Sequence, residues 1–297
     1  MKKKNQNRYF LLLMLMATAL PVFSQEGADT VKTWKISGNG ALSFSQVSLT
    51  NWAEGGDGSV SGTFLFGLNA NMKKSKHYWD NSLAVEYGLV KNESQGLRKS
   101  VDKLNFTSKY GYDIGKKWFF SFLYDFKTQF DKGYNYPNTD EYISKIMAPG
   151  YMNLALGFDY KPNENLSLFL SPLGSKFTFV LDDYLSSQGT FGVEPGDKFR
   201  AEMGALAKFA YLKKSLITNV DFETKLELFS SYTDSPLNID VNWDVRFNMK
   251  INKYLSANLG ATLRYDNDVK FVDSEGVTHG PKTQLKQLLG IGLAYSF

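Results

Sequence analysis

The chain has 297 residues, with 34 basic and 30 acidic side chains, two histidines and no cysteine. The lack of cysteine excludes disulfides, thiolate metal sites, a thiol nucleophile and a lipidated N-terminal cysteine. The basic excess lies in residues 1–24, as Lys2, Lys3, Lys4 and Arg8; without them the chain is neutral and loses the electrostatic basis for binding nucleic acid.

Residues 1–24 join that basic start to an apolar run from Tyr9 to Phe23, broken only by Thr18 and Pro21. This pattern predicts a secretory signal peptide cleaved before Gln25, with Val22 and Ser24 at the recognition positions. A membrane anchor would need about 20 apolar residues, more than the run supplies. Residues 25–33 read as a short flexible leader, too short for a plug domain, and residues 34–297 as the folded part. No later segment approaches a membrane-spanning helix, and the mean hydropathy is −0.30. An exported chain of this type is either soluble or a β-barrel, because barrels escape hydropathy searches when half of each strand faces a polar interior.

The first strand is expected over 34–49, followed by a turn at 51–58. Gly55-Gly56-Asp57-Gly58 in that turn is turn chemistry, since no strand-to-helix context or Lys follows to make a phosphate loop. Strands over 59–73, 77–90, 100–114 and 117–130 each carry one apolar face, for instance Phe64, Phe66 and Leu68 in the first or Trp118, Phe120 and Phe122 in the last. Strands over 150–161, 165–181, 198–211 and 216–231 follow, the second disturbed at Pro172 and Gly174, where a bulge or bend is expected.

The clearest pattern runs from 239 to 265. Every odd position but Lys253 is apolar or aromatic, and no even position is aliphatic. A period of two places the sets on opposite faces of a strand. The phase is unchanged across Asn252-Lys253-Tyr254, which predicts a hairpin pairing Ile251 with Leu255 over a three-residue loop. Each arm is long for a soluble domain, where strands average about 5 to 6 residues, and fits the roughly 9–11 needed to cross a bilayer. A last strand ends Leu289, Ile291, Leu293, Tyr295, Phe297, bringing the total to about twelve.

Short connections are expected near 74–76, 115–116, 162–164, 212–215 and 252–254. Longer ones are expected near 51–58, 91–99, 131–149, 182–197, 232–237 and 268–282. Their alternation matches the periplasmic turns and extracellular loops of outer-membrane barrels, an order that a soluble sandwich has no reason to keep. Trp34, Trp79, Trp118, Tyr112, Tyr160, Tyr211, Tyr295 and Phe297 gather at the short-turn ends, as an interfacial aromatic girdle would. The expected architecture is all-β: a closed antiparallel up-and-down transmembrane β-barrel.

Phe297, after alternating apolar residues, resembles the terminal signal read by the barrel insertion machinery. The blocks Trp34-Lys35-Ile36-Ser37-Gly38-Asn39-Gly40, Phe44-Ser45-Gln46 and Ser48-Leu49-Thr50-Asn51-Trp52-Ala53-Glu54-Gly55-Gly56 resemble an uncharacterised family of Bacteroidota outer-membrane barrels. That resemblance implies fold and outer-membrane location over nearly the whole mature chain, and no catalytic residues.

With apolar faces outward, Trp243, Phe247, Leu259, Leu263 and Tyr295 are expected to face lipid. The interior is then expected to be ionic and balanced in sign, lined by Lys103, Lys109, Asp125, Arg200, Glu202, Asp221, Glu223, Lys225, Asp240, Asp244, Arg246 and Arg264. A monomeric pore or transport barrel for small solutes follows, with a closed structural, binding or adhesive barrel as the alternative. Neither needs a cofactor or a metal. An enzyme would need His279 with Asp273 or Asp268 activating Ser274 or a water at the rim, but no elbow or metal-ligand spacing surrounds it. The acidic loop residues Asp182, Asp183, Glu194, Asp197, Asp266, Asp268, Asp273 and Glu275 match no defined calcium loop and read as surface charge.

Overall fold

The computed structural model describes residues 33–48, 58–93, 96–234, 236, 238–272 and 278–297. The expected signal peptide, nearly all of the expected leader, Gly55-Gly56-Asp57, Asp273, Ser274 and Glu275 lie outside the described residues.

Among the described residues, twelve long strands close an antiparallel barrel. They are β1 (Trp34–Val47), β2 (Ser59–Lys74), β3 (His77–Asn92), β4 (Gly96–Gly115), β5 (Trp118–Thr128), β8 (Gly150–Asn163), β9 (Leu166–Phe179), β10 (Phe199–Ile217), β11 (Val220–Ser231), β12 (Asp240–Lys250), β13 (Leu255–Tyr265) and β16 (Gln284–Ser296). Two small hairpins lie outside the barrel: β6 (Gly133–Tyr134) with β7 (Tyr142–Ser144), and β14 (Lys270–Val272) with β15 (Thr278–Pro281). Each long strand pairs with its sequence neighbour, and β16 returns to β1 from Asn39↔Ser296 to Ser43↔Gly292. At that seam the backbone of Gly38 exchanges both hydrogen bonds with Phe297, at 2.9 and 3.0 Å.

Local chemistry sets the short turns. Asn252 Oδ1 accepts from the N–H groups of Tyr254 and Leu255, both at 2.8 Å, and Ile251 donates to the Leu255 carbonyl at 2.9 Å. The three-residue hairpin at 252–254 is therefore present as expected. Asn163 Oδ1 makes the same type of turn with the N–H groups of Asn165 and Leu166. The bulge in β9 is also present: the register of β9 slips against both β8 and β10 around Pro172, which has no N–H for a ladder.

Two connections differ from expectation. Residues 91–99 are not a long loop; β3 and β4 run on as a hairpin to Asn92↔Gly96. Residues 212–215 are not a turn either, because β10 continues to Ile217 through an irregularity with Ser215 at φ 50°. The chain reverses at Thr218-Asn219, where Asn219 takes φ 63°, a left-handed conformation that asparagine tolerates. In both places polar residues disguised strand as loop, Lys91, Asn92, Arg98 and Lys99 in the first and Lys213, Lys214 and Ser215 in the second.

Candidate functional site

The register separates two faces. Trp243 lies opposite Leu263 and Phe247 opposite Leu259, all on the outer face with Tyr295. The outer face is strongly apolar, with Phe44, Leu289 and Tyr295 exposed at 64, 69 and 70 %. Its scattered polar atoms are satisfied within the sheet: the Trp243 indole donates to Thr224 Oγ1 at 2.9 Å, and Trp79 donates to Ser108 Oγ at 2.8 Å. At the short-turn end, aromatic rings pair along the rim, Trp34 with Trp79 at 5.6 Å and Trp118 with Tyr160 at 5.0 Å.

The inner face carries the charges, and several reach across the barrel. Arg246 on β12 donates to Glu86 Oε1 on β3 at 2.6 Å, and Lys103 on β4 stands 3.6 Å from Asp244 on β12. Those strands are on opposite sides of the barrel. Lys103 also lies 4.0 Å, and Lys286 of β16 lies 3.9 Å, from Glu86. Thr262 donates to Asp244 Oδ1 at 2.5 Å. Together these groups form an ionic crossbar through the middle of the interior. Between it and the wall of β12, β13 and β16 lies a cavity of about 30 Å³, lined in part by Leu65, Asn258, Gly260 and Leu288. That is room for water, which needs roughly 10–15 Å³.

Three further networks flank the crossbar. Asp125 and Glu227 share Lys127 and Lys208, with Lys127 2.7 Å from Glu227 and Lys208 3.3 Å from Asp125. Toward the short turns, Asp159 is held by Lys109 at 2.6 Å, by the Tyr78 hydroxyl at 2.7 Å and by Ser167 at 2.7 Å. Toward the long loops, Lys176 joins Asp240 at 2.6 Å and Asp266 at 2.9 Å, and Arg200 joins Glu202, Asp234 and Asp268. Asp221 pairs with Lys250 at 3.7 Å and Glu223 with Lys225 at 2.5 Å, while Arg264 lies opposite Asn242. Arg264, Lys176 and Tyr151 help line a cavity of about 350 Å³ that occupies the long-loop half of the interior.

The interior is not purely ionic, which corrects the expectation from the alternation. Leu123, Ala155, Phe169, Leu206 and Phe229 pack into an apolar cluster on the inner side of β5, β8, β9, β10 and β11. Tyr78 on β3 is buried as well, its ring edge-on to Phe119 at 4.8 Å and beneath the Lys161 ammonium at 3.7 Å. The signal was available: β5 carries Phe119 and Leu123 among Ser121, Asp125 and Lys127 on the supposed polar face, so that face is only partly polar. Opposite, β1 and β2 present mostly small or amide side chains with Lys35, Leu65 and Lys73 among them, and inward Asn39, Asn69 and Asn71 are exposed. One half of the interior is packed and the other is wet.

The long loops fold on themselves. A short helix α1 (Asp183–Ser187) is capped by Asp182, whose carboxylate accepts from Leu185 N–H at 3.1 Å. The same carboxylate accepts from Lys145 Nζ at 2.6 Å and the Tyr142 hydroxyl at 3.0 Å. Burial pushes the Asp182 carboxyl up, but these donors outweigh it and hold it below the usual range. Hydrogen bonding to Asp182 raises the Lys145 ammonium in return. Beneath the clamp, Ala148, Val180, Leu185 and Val193 form a second apolar cluster.

Other candidate residues are not gathered into a site. His279 lies opposite Phe271 in the β14–β15 hairpin, and Asp268 is engaged by Arg200 at 2.9 Å. Glu202, Asp234 and Asp268 approach closely enough to suggest a cation site, but the Arg200 guanidinium already occupies their centre. Asp183 pairs with Lys198 at 2.5 Å.

Residues 44–134 match a family described as protein of unknown function (DUF3078). That match is shorter than the span expected from the sequence resemblance. A search of the curated proteins finds no match. Among solved structures, the chain is similar to the translocator domain of autotransporter NalP from Neisseria meningitidis, at 8 % identity, covering 98 % of each chain, with a TM-score of 0.37. It is also similar to the COG4313 outer membrane channel from Pseudomonas putida F1, at 12 % identity, covering 91 % of this chain and 100 % of that one, with a TM-score of 0.40. The NanC porin follows at 6 % identity, covering 86 % and 98 %, with a TM-score of 0.39. The fold assignment rests on the closed hydrogen-bond ladder itself.

Proposed function

We propose that the chain is a bacterial outer-membrane barrel, exported by its N-terminal segment, that passes small solutes through a narrow polar interior. The observation that carries this reading is the wet half of the barrel. Lys225 and Lys286 point inward yet keep 60 % and 43 % of their side chains in water, Lys286 beside the crossbar cavity. A barrel sealed by side chains would bury such groups. The apolar outer face supports the membrane part of the reading, because an isolated barrel in water would not expose Phe44 and Leu289 so fully. Phe297, at the seam with Gly38, is then the residue offered to the insertion machinery, and the barrel works as a monomer in outer-membrane lipid.

A second reading, a largely closed binding barrel, is favoured by the crossbar and the apolar cluster, which narrow the passage. Planar bilayers separate the two. A pore gives stepwise conductance, altered when Arg246 and Arg264 are replaced; silent bilayers containing folded protein would favour the closed barrel.

A further inference from the structure

The inner charges balance in number but do not meet water equally. On the wall of β11, β12, β13 and β16, Lys225, Lys250, Lys286 and Arg246 keep 60, 62, 43 and 37 % of their side chains exposed. The acids they contact lie deeper: Glu223 at 27 %, Asp221 at 22 % and Glu86 at 6 %. Asp244, at 34 %, is the acidic exception, and Lys103 and Thr262 both engage it. Chain length permits the segregation, although the equally long Lys103 stays buried at 12 % between Glu86 and Asp244. A carboxylate ends close to its backbone, whereas a lysine carries its ammonium beyond the wall and into water.

Register gathers these cations on one surface. Lys225 lies opposite Asp244, Asp244 opposite Thr262, and Thr262 opposite Lys286. Arg246 stands in the adjoining row, opposite Glu223. The apolar cluster fills the side of β5 to β11, so a solute in the wet half travels against this wall. Its counterpart on β1 and β2 offers Asn39, Asn69 and Asn71, which add no negative charge.

Resting on the pore reading, we propose that the solutes passed are small anions, selected by the ammonium and guanidinium ends that project from the β11–β16 wall. Charge on a low-dielectric wall focuses the field within a cleft, and Lys and Arg are the groups that select anions in pores. Anionic solutes exchange water for these donors as they pass the crossbar. A balanced charge count therefore hides a directional preference.

The test uses the full chain refolded in planar bilayers under a potassium chloride gradient, with the reversal potential as readout. Chloride is expected to pass on the order of tenfold more readily than potassium, the lower end of what such focusing supplies. The preference should shrink as salt shortens the screening length. Lys225→Gln with Lys286→Gln should remove most of it while single-channel steps persist. The folding of that variant is verified by its β-sheet circular dichroism, and Lys225→Gln alone serves if the pair does not fold. Conductance with no preference, or with a preference for potassium, overturns the anion proposal and leaves the pore reading standing. Folded protein that never conducts overturns both.

Discussion

Glu86 accepts a hydrogen bond from Arg246 at 2.6 Å and lies within 4.0 Å of Lys103 and 3.9 Å of Lys286. Glu86→Gln keeps the volume but leaves three cations facing one another. Breaking a fully buried pair costs about 3–5 kcal/mol. Arg246 and Lys286 retain more than a third of their side chains in water, so the loss is smaller, on the order of 1–3 kcal/mol. A lowered urea midpoint together with larger conductance steps is the expected result. Unchanged values of both would show that the crossbar neither braces nor narrows the interior. Gly111 offers a second test. The Tyr78 ring lies directly over it, in the space a Cβ would fill, while its hydroxyl reaches Ser121 and Asp159 at 2.7 Å. Gly111→Leu should displace that ring at a cost of about 1–3 kcal/mol by overpacking, seen as a lower unfolding midpoint. Full stability would mean the ring has room elsewhere.

At the scale of elements, the clamp over α1 has a defined pH response. A carboxyl held below its ordinary value contributes stability that is present above about pH 3.9 and lost as pH falls through the depressed value. An ammonium held above its ordinary value contributes below about pH 10.4 and loses it as pH rises through the raised value. Protease protection of residues 182–197 should therefore stay flat from about pH 5 to about pH 9 and decline outside that window. Asp182→Ala should lower it throughout, by about 1 kcal/mol for the lost helix cap. A steep change near neutrality would contradict this assignment. The elements themselves were legible where one rule dominated. The 239–265 alternation and the Asn252 turn are local, and both appear as read. The stretch 212–217 was not legible, because lysines and serines in a bulged strand have the composition of a loop. The Arg246–Glu86 contact joins residues 160 apart, which only barrel closure brings together.

For the whole molecule, the two faces define the account. Alternation was enough to separate them, and the strand count followed from it. What alternation missed was the inward Leu123, Phe169, Leu206 and Phe229, since a filled half-interior depends on which strands end up neighbours. Placing Arg at Leu259 should cost about 2–4 kcal/mol if that position sits near the bilayer midplane. Refolding yield into lipid vesicles would fall accordingly, whereas the inward Asn258→Arg should be tolerated far better. The most direct measurement is a scan of single spin labels from Ala257 to Arg264 in refolded vesicles, comparing collisions with oxygen and with a water-soluble nickel complex. The account predicts strict alternation, with oxygen dominating at Leu259, Ala261 and Leu263 and nickel at Asn258, Thr262 and Arg264. Nickel dominating at the odd positions, or no alternation, would contradict it.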